Sequence, residues 1–422
     1  MVSTGEKTMP RRIAVFGAGQ SGRAAVRLGN SLGIDADCFD EVEGKGSSQS
    51  VFGAEEVIKY DAFVFSPGFS SDHPWCVLCH QSDRPCYSEL GFAALFWKGS
   101  LLGVTGTNGK TSLTMLLTEA FRQNGDAVTA AGNIGRPLSD VCVEYNGGAG
   151  MRAICEISSF QAELTLGLQL DGLVWTNFAE DHLDRHGSME AYLEAKAGLI
   201  KCLKPEAPSV FGPSVPFRGS VRIGTETDLP KGLAADSVFG FSPQQENLKL
   251  ARLLWRALEL PGDVLLDAAR QFKAPRHRLE KIDEWSGVEF WNDSKATNLH
   301  AVKSALYAFK DPVFWVGGGR SKGADLKIFA GELSGQIESA YLYGEVAPAL
   351  AEALAEVGLK TAVFGSLKDA VTAACMDAQL ARPASLLFSP GFSSFDQFSG
   401  FEERGESFVS AVLSLKQRGE AT

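Results

Sequence analysis

The sequence predicts an α/β protein built in three consecutive blocks, each a mostly parallel sheet flanked by helices, and three observations predict it. The chain has 422 residues, more than a single hydrophobic core serves, so two or three domains are expected. Two apolar runs, at 13–16 and 100–105, each end in a glycine-rich turn that leads into a helical pattern. A third region, from about Pro275, alternates apolar runs with helical spacing, which indicates parallel strands joined by crossover helices.

In the first block the strand at 13–16 precedes the turn Gly17–Gly22 and a helix carrying Ala24, Ala25 and Leu28. A second strand ends at Cys38-Phe39-Asp40, and a third covers 62–65, closed by Ser66-Pro67-Gly68. The second block begins near Lys98. Its strand at 100–105 leads through a turn into a helix from about Ser112 to Asn124. There Leu113, Leu116, Leu117, Ala120 and Phe121 recur at helical spacing, and Gly125 suits the C-terminal cap. Further strands are expected at 152–155 and 172–175, while 205–230, rich in Gly, Pro and Ser, reads as loops or a short hairpin. The third block has strands at 312–316, 340–343, 361–364 and 385–388, with helices near 346–357, 367–380 and 402–416. The tripeptide Ser-Pro-Gly recurs at 66–68 and 389–391, each time after a strand.

Composition narrows the classes. Apolar residues make up 45% and charged residues 22%, ordinary values for a globular chain. No run of eighteen apolar residues is present, so no membrane partner is expected. No apolar signal core precedes the first strand, and eight cysteines lie without framework spacing, so a reduced, cytoplasmic setting is expected. The net charge of −11 argues against a nucleic-acid partner. Nucleotide binding stays open, because local amides and a few cations hold phosphates.

The segment GVTGTNGKTS, 103–112, carries the strongest chemical signal. Glycines at 103, 106 and 109 followed by Lys110 and Thr111 make a turn whose amides converge on phosphate oxygens. Lys110 suits the outer phosphates and the Thr111 hydroxyl suits Mg²⁺. The common spacing would place a glycine where Val104 stands, so this is a variant with glycine every third residue. The plainer alternative, a glycine turn with a chance lysine, lacks a reason for the flanking strand and helix. ATP or GTP use is the expectation.

Two clusters come after strands downstream, EISSFQAE at 156–163 and TNFAEDHLD at 176–184. Strand ends beside a phosphate loop in a parallel sheet face one crevice, so Glu156 suits Mg²⁺ and His182 a second metal or the acceptor. Taken singly, each is also an ordinary surface or capping residue, and Lys196 in YLEAK reads as a solvated helix lysine. The turn GAGQSG, 17–22, with Asp40 eighteen residues after Gly22, satisfies the dinucleotide fingerprint, so an NAD-binding domain competes. CVLCH, 76–80, matches a haem-attachment pattern, and His73 and Cys86 add a zinc reading. Ordinary helix residues after the Ser-Pro-Gly turn are the simpler account of that segment.

Together these segments resemble the Mur ligases. GVTGTNGKTS, AGNIGRP (131–137), EISSFQAE, EDHLDRH (180–186) and the lysine of YLEAK occur in the family's order. WNDSKATN (291–298), VGGGRSKGADL (316–326) and SPGFSSFDQFSGFEERG (389–405) look like the motifs of the D-glutamate-adding member. The resemblance covers about 10–416. It implies a Rossmann-like N-terminal domain, 1–97, for the UDP moiety; a P-loop mononucleotide-binding central domain, 98–274, for ATP; and a Rossmann-like C-terminal domain, 275–422, for the amino acid. The implied reaction is ATP-dependent addition of D-glutamate to UDP-N-acetylmuramoyl-L-alanine through an acyl phosphate, in peptidoglycan precursor synthesis, by a monomer. A sister ligase such as folylpolyglutamate synthetase should lack NDSKATN.

Residue by residue, the resemblance assigns Gly106, Thr107, Asn108, Gly109, Lys110, Thr111, Ser112, Asn247, Arg278, Asp293 and Lys295 to ATP. Gln20, Ser21, Gly22, Asn133 and His182 fall to the UDP substrate, which turns the GAGQSG turn into a phosphate cradle. Thr297, Lys322, Ser394, Phe395 and Phe401 fall to D-glutamate, with Lys322 partnering a carboxylate. Lys110, His182 and Lys196 are the implied catalytic residues, and Thr111, Glu156, His182 and a carbamylated Lys196 the implied Mg²⁺ ligands. Carbamylation makes an anion of a cation, which gives Lys196 its role. Two departures stand out: Ser242-Pro-Gln-Gln-Glu-Asn247 where the family commonly has a histidine–asparagine pair, and a short stretch between about 204 and 240.

Overall fold

The apolar runs bounded by glycine turns become the strands of three sheets in this computed structural model, which describes residues 9–42, 49–220, 237–240 and 244–419. The first sheet holds β1 (Arg12–Phe16), β2 (Asp35–Phe39), β3 (Ala62–Phe65) and β4 (Cys86–Ser88), all parallel, in the order β2-β1-β3-β4. Helices α1 (Gln20–Ser31), α2 (Ala54–Val57) and α3 (Pro74–His80) join these strands, and α4 (Glu89–Ala94) comes after β4.

The second sheet is also wholly parallel: β5 (Ser100–Thr105), β6 (Val128–Gly132), β7 (Arg152–Glu156), β8 (Gly172–Trp175) and β9 (Ser209–Phe211), in the order β6-β7-β5-β8-β9. The helices of this stretch of the chain are α5 (Lys110–Gln123), α6 (Leu138–Glu144), α7 (Ser159–Ala162), α8 (Leu183–His186), α9 (Met189–Ala197), α10 (Gln244–Ala257) and α11 (Gly262–Gln271). The five apolar residues expected to face inward from α5 are all fully buried. Phe121 of that helix meets Trp255 of α10 at 4.7 Å between ring centroids.

The third sheet has six strands: β10 (Glu280–Trp285), β11 (Val288–Asn292), β12 (Val313–Gly318), β13 (Ser339–Tyr343), β14 (Lys360–Phe364) and β15 (Ala384–Gly391). Their order is β10-β11-β15-β12-β13-β14, parallel except for the β10–β11 hairpin. Around it lie α12 (Leu299–Leu306), α13 (Leu326–Leu333), α14 (Ala347–Glu356), α15 (Leu367–Leu380) and α16 (Phe401–Gly419). Both faces are apolar, Phe314 and Phe388 on one, where Phe408 of α16 packs, and Trp315, Leu342 and Leu387 on the other, as a helix-covered parallel sheet requires.

The chain separates into two compact units. The first holds the described residues of Met1–Phe178, Glu190–Lys231 and Asn247–Arg270; the second holds those of Ala179–Met189, Gly232–Glu246 and Gln271–Thr422. Within the first unit one continuous core joins both sheets, running from Ile13, Val15 and Leu28 through Leu90 and Leu138 to Ala153 and Trp175.

Five strands lie outside the sequence expectation, among them β11, VEFWN, whose residues alternate between buried and half-buried. β4 and β9 are only three residues long, and β6, VTAAG, is small-residued. β10, EKIDEW, is a half-exposed edge strand that carries four charges. The stretch 205–230 therefore contains a parallel edge strand, β9, and its portion from 221 on lies outside the described residues. The second Ser-Pro-Gly forms the end of β15 itself rather than coming after it. Among the described residues no helix is long and apolar enough to cross a membrane.

Candidate active site

Because β6, β7, β5 and β8 are adjacent and parallel, their C-terminal ends share one edge of the sheet. β5 delivers the phosphate loop there, β7 delivers Glu156, β6 delivers Asn133, and β8 delivers Thr176 and Asn177. Gly103 lies inside β5 against Leu170 and Leu173, so the turn proper is 106–109 and Gly103 is a core residue. Gly106 adopts φ +143°, and a Cβ there would stand 1.9 Å from Thr176 Oγ1. Gly109, at φ +83°, admits Asn247 so closely that a Cβ would stand 2.5 Å from its Nδ2. That puts Asn247, from α10, directly beside the loop.

α5 opens at Lys110, two residues earlier than expected, so Lys110, Thr111 and Ser112 form its first turn. A first turn is where backbone N–H groups and the helix dipole favour phosphate. Lys110 Nζ donates to the carbonyls of Gly106 (2.9 Å) and Thr107 (2.8 Å), folding the ammonium over the loop. Sequence reasoning missed the clamp beneath it. Asn177 Oδ1 accepts the Asn108 N–H at 2.9 Å, its Nδ2 donates to the Asn108 carbonyl at 3.0 Å, and its own carbonyl accepts the Thr107 N–H at 3.1 Å. Thr176 Oγ1 donates to the same Asn108 carbonyl at 2.6 Å. A Thr-Asn pair immediately after a buried strand was the available signal.

Glu156 is 3% exposed. Its Oε1 accepts from Asn133 Nδ2 at 2.9 Å, and its Oε2 is buried with no hydrogen-bond partner among the described residues. An orphaned carboxylate oxygen of this kind suits a cation. Asn133, assigned to the UDP substrate by resemblance, is thus also the residue that holds this carboxylate, and its N–H donates to the Glu156 carbonyl at 2.9 Å. Lys196 is not a solvated helix lysine. It is 1% exposed, and its Nζ donates to the Gly106 carbonyl (3.0 Å) and approaches Thr105 Oγ1 (3.4 Å), 5.0 Å from the Tyr192 ring centre. The chain brings it to the phosphate loop from ninety residues away.

In the first sheet, the turn after β1 carries Gln20, Ser21 and Gly22 into α1. Asp40 accepts the Ala18 N–H (2.7 Å) at one oxygen and the Val42 N–H (3.1 Å) at the other. Its carboxylate therefore braces the turn, which weakens the dinucleotide reading that needs it on a ribose. Gln20 Nε2 donates to the Gly135 carbonyl at 2.6 Å, in the turn that carries Asn133. Glu89 Oε1 accepts the Ser139 N–H at 2.7 Å, and burial pushes this carboxyl up to about 7. Cys76 and Cys79 pack into the core with Phe16, Phe39 and Phe65, and His80 Nδ1 lies 2.7 Å from the Cys76 carbonyl of its own helix. Burial pushes the neighbouring Cys86 thiol up to about 11. Cys76 and Cys79 are thus core residues, while Val77 and His80 of the same helix are exposed.

In the second unit, the ends of β11, β15 and β12 are likewise adjacent, and the C-terminal candidates lie just beyond them. A cavity of about 200 Å³ gathers His182, Thr297 and Lys322. Asp181, 8% exposed, was not singled out from sequence, yet it organises this cavity. It accepts from Lys322 Nζ (3.1 Å), Asn298 Nδ2 (2.9 Å) and the His182 N–H (2.9 Å). Burial alone would raise its carboxyl, but Lys322, His182 and Asn298 hold it below the usual carboxylate range. Ser394, Phe395 and Phe401 lie outside the cavity lining. Ser394 is buried, Phe395 is 64% exposed, and Phe401 opens α16 with Lys295 Nζ 3.9 Å from its ring centre.

Asp293 is committed within the chain, accepting from the Leu279 N–H (3.1 Å) and the Ser389 hydroxyl (2.9 Å), and burial pushes it up to about 7. It thereby fixes the segment carrying Arg278, between the left-handed residues His277 (φ +64°) and Leu279 (φ +47°). Arg404, also missed from sequence, is buried and donates to the carbonyls of Phe392 (2.9 Å) and Ser294 (2.7 Å), tying α16 to both neighbouring segments.

Comparison with known proteins agrees with this picture. Residues 104–216 match the Mur ligase middle domain, and residues 277–389 match the Mur ligase glutamate ligase domain. The UDP-N-acetylmuramoylalanine–D-glutamate ligase of Desulfitobacterium hafniense (strain Y51) is 32% identical over 95% of this chain and 97% of its own length. Among solved structures, UDP-N-acetylmuramate-alanine ligase MurC of Thermotoga maritima aligns over 96% of this chain and 100% of its own, with TM-score 0.58 and 15% identity. MurF ligase of Thermotoga maritima, in complex with ADP, aligns over 86% of this chain and 97% of its own, with TM-score 0.56 and 17% identity.

Proposed function

This chain belongs to the Mur ligase family, and on that premise we propose that it joins D-glutamate to UDP-N-acetylmuramoyl-L-alanine, splitting ATP to ADP and phosphate in peptidoglycan precursor synthesis. The observation that carries this reading is the shared strand-end edge of the second sheet, where the phosphate loop, Glu156 and buried Lys196 meet. Three domains at 1–97, 98–274 and 275–422 are proposed around the three sheets, in a cytoplasmic monomer.

Phosphoryl transfer depends on positioning and charge stabilisation more than on a covalent nucleophile. Lys110 and the first turn of α5 hold the phosphates, with Gly106, Thr107, Asn108 and Gly109 shaping the turn and Asn247 beside it. Among the described residues no three His, Cys, Asp or Glu side chains gather into a metal cluster. Magnesium commonly takes one or two carboxylates plus phosphate and water oxygens, so Thr111 and Glu156 fit it. Bound there, it neutralises charge on the phosphoryl oxygens. Lys196 is proposed to act carbamylated. Gln20, Ser21, Gly22 and Asn133 are proposed for the UDP substrate. From the second unit, Arg278, Asp293 and Lys295 are proposed for ATP, and His182 for magnesium and the alanyl end. Thr297 and Lys322, with Ser394, Phe395 and Phe401, are proposed for D-glutamate.

The alanyl carboxylate attacks the γ-phosphorus to give an acyl phosphate, and the D-glutamate amine then displaces phosphate from the carbonyl carbon. Substrate labelled with ¹⁸O in that carboxylate should deliver one labelled oxygen to the released phosphate. Label confined to the peptide product would exclude an acyl phosphate.

A further inference from the structure

We infer that Asp396 is a positioning residue for the amino-acid substrate, anchoring the loop that carries Ser394 and Phe395 to the turn beyond β13. This rests on the D-glutamate reading above and adds what holds that loop in place. A binding group keeps its geometry only if packing or supporting hydrogen bonds hold it. Phe395 is 64% exposed, so packing does not fix it, and its position has to come from the backbone on either side.

The strand order β15-β12-β13 sets the three loops beyond these strands side by side. The loops after β15 and β12 pair as a short antiparallel bridge. The Arg320 N–H donates to the Ser393 carbonyl at 2.9 Å, and the Ser393 N–H to the Arg320 carbonyl at 3.1 Å. Lys322 lies two residues past this bridge on one side, and Ser394 directly past it on the other. The loops after β12 and β13 are tied by the Gly319 N–H to the Tyr343 carbonyl (3.2 Å) and the Val346 N–H to the Gly319 carbonyl (2.9 Å). Asp396 joins the outer two loops, its Oδ2 accepting the Glu345 N–H at 3.1 Å. Ser394 and Phe395 are therefore a two-residue span held at both ends, by the Ser393 bridge and by the Asp396 carboxylate. Of these two anchors only the second is a side chain, so a single substitution removes it. The turn is shaped to receive it: Gly344 adopts φ +80°, and a Cβ there would stand 2.3 Å from Asp396 Oδ2. Asp396 Oδ1 is buried, with no hydrogen-bond partner among the described residues, so the carboxylate is set between the loops rather than left in solvent.

The test is steady-state turnover by the full-length enzyme, with KM measured separately for D-glutamate, ATP and UDP-N-acetylmuramoyl-L-alanine. D396A should raise the D-glutamate KM by roughly threefold to tenfold, the weight of one hydrogen bond, and move the other two far less. D396N keeps an acceptor of the same shape and should stay near the wild type. G344A drives the carboxylate off its turn and should raise the D-glutamate KM in the same way. The double variant D396A/G344A should do no worse than the worse single one, as two changes to one contact do. Equal rises in all three KM values, an unmoved D-glutamate KM in D396A, or a D396N as impaired as D396A overturns the inference and leaves the functional reading standing. Melting curves show whether each variant is folded at the assay temperature, and where D396A is not, G344A against the wild type decides by the same three KM values. A wild-type enzyme inert toward D-glutamate would remove the functional reading and this inference with it.

Discussion

Replacing Asn133 with alanine isolates one bond at the centre of the site. Its side-chain amide donates to Glu156 Oε1 at 2.9 Å, while the other oxygen of that carboxylate already lacks a partner among the described residues. Glu156 is 3% exposed, so water does not replace the lost donor and the surface discount does not apply. A hydrogen bond to a charged group contributes about 1.5–3 kcal/mol. At roughly 2–4 °C per kcal/mol for a domain of this size, Asn133→Ala should lower the melting temperature by about 3–12 °C. The backbone bond from the Asn133 N–H to the Glu156 carbonyl remains, so the turn itself persists. Differential scanning calorimetry of the full chain measures the drop, and Mg²⁺ with ADP should narrow it by pairing with the carboxylate left without its donor. A variant that melts within about 1 °C of the wild type without metal would show that this bond carries no such weight.

The same geometry sets other outcomes. Lys110→Ala should abolish ATP-dependent phosphate release, and retained turnover would separate Lys110 from the phosphates. Lys196→Ala should lose activity and regain part of it with added short carboxylates; an undiminished rate would exclude a carbamate. Asp181→Ala removes the anchor of Lys322 and Asn298, and should raise the D-glutamate KM far more than that for ATP. Glu89 is held at about 7 against an ordinary 4.5 by burial. Its folded form binds the proton more tightly, so its contribution is whole below about 4.5 and is lost as pH rises through about 7, up to roughly 3 kcal/mol. Glu89→Gln should flatten that fall in a pH series of melting curves; an identical slope would assign it elsewhere.

Much of the fold was legible because a buried parallel strand reads as a short apolar run and the glycine turn after it marks the start of a helix. β1, β3, β5 and β13 were found that way, and β8 by its apolar run alone. β4 and β9 were not, since three residues carry too little pattern, and β10 was not, since an exposed edge strand need not be apolar. In the site, Lys110 and Thr111 were visible because their spacing after Gly106 is local. Lys196 was visible only through family resemblance, because its burial depends on packing against a loop ninety residues earlier. Asp181 and Asn177 were passed over for the same reason: both act on backbone or side chains far away in sequence. Gly103 was misplaced because a regular glycine spacing looks the same whether each glycine turns the chain or packs a strand.

Phosphate release with ATP, magnesium and UDP-N-acetylmuramoyl-L-alanine, measured with D-glutamate, L-glutamate, L-alanine and diaminopimelate in parallel, tests the assigned reaction most directly. Release with D-glutamate and near-background rates with the other three is the expected result. Equal or faster release with any of those three would contradict the assignment of the second unit to D-glutamate.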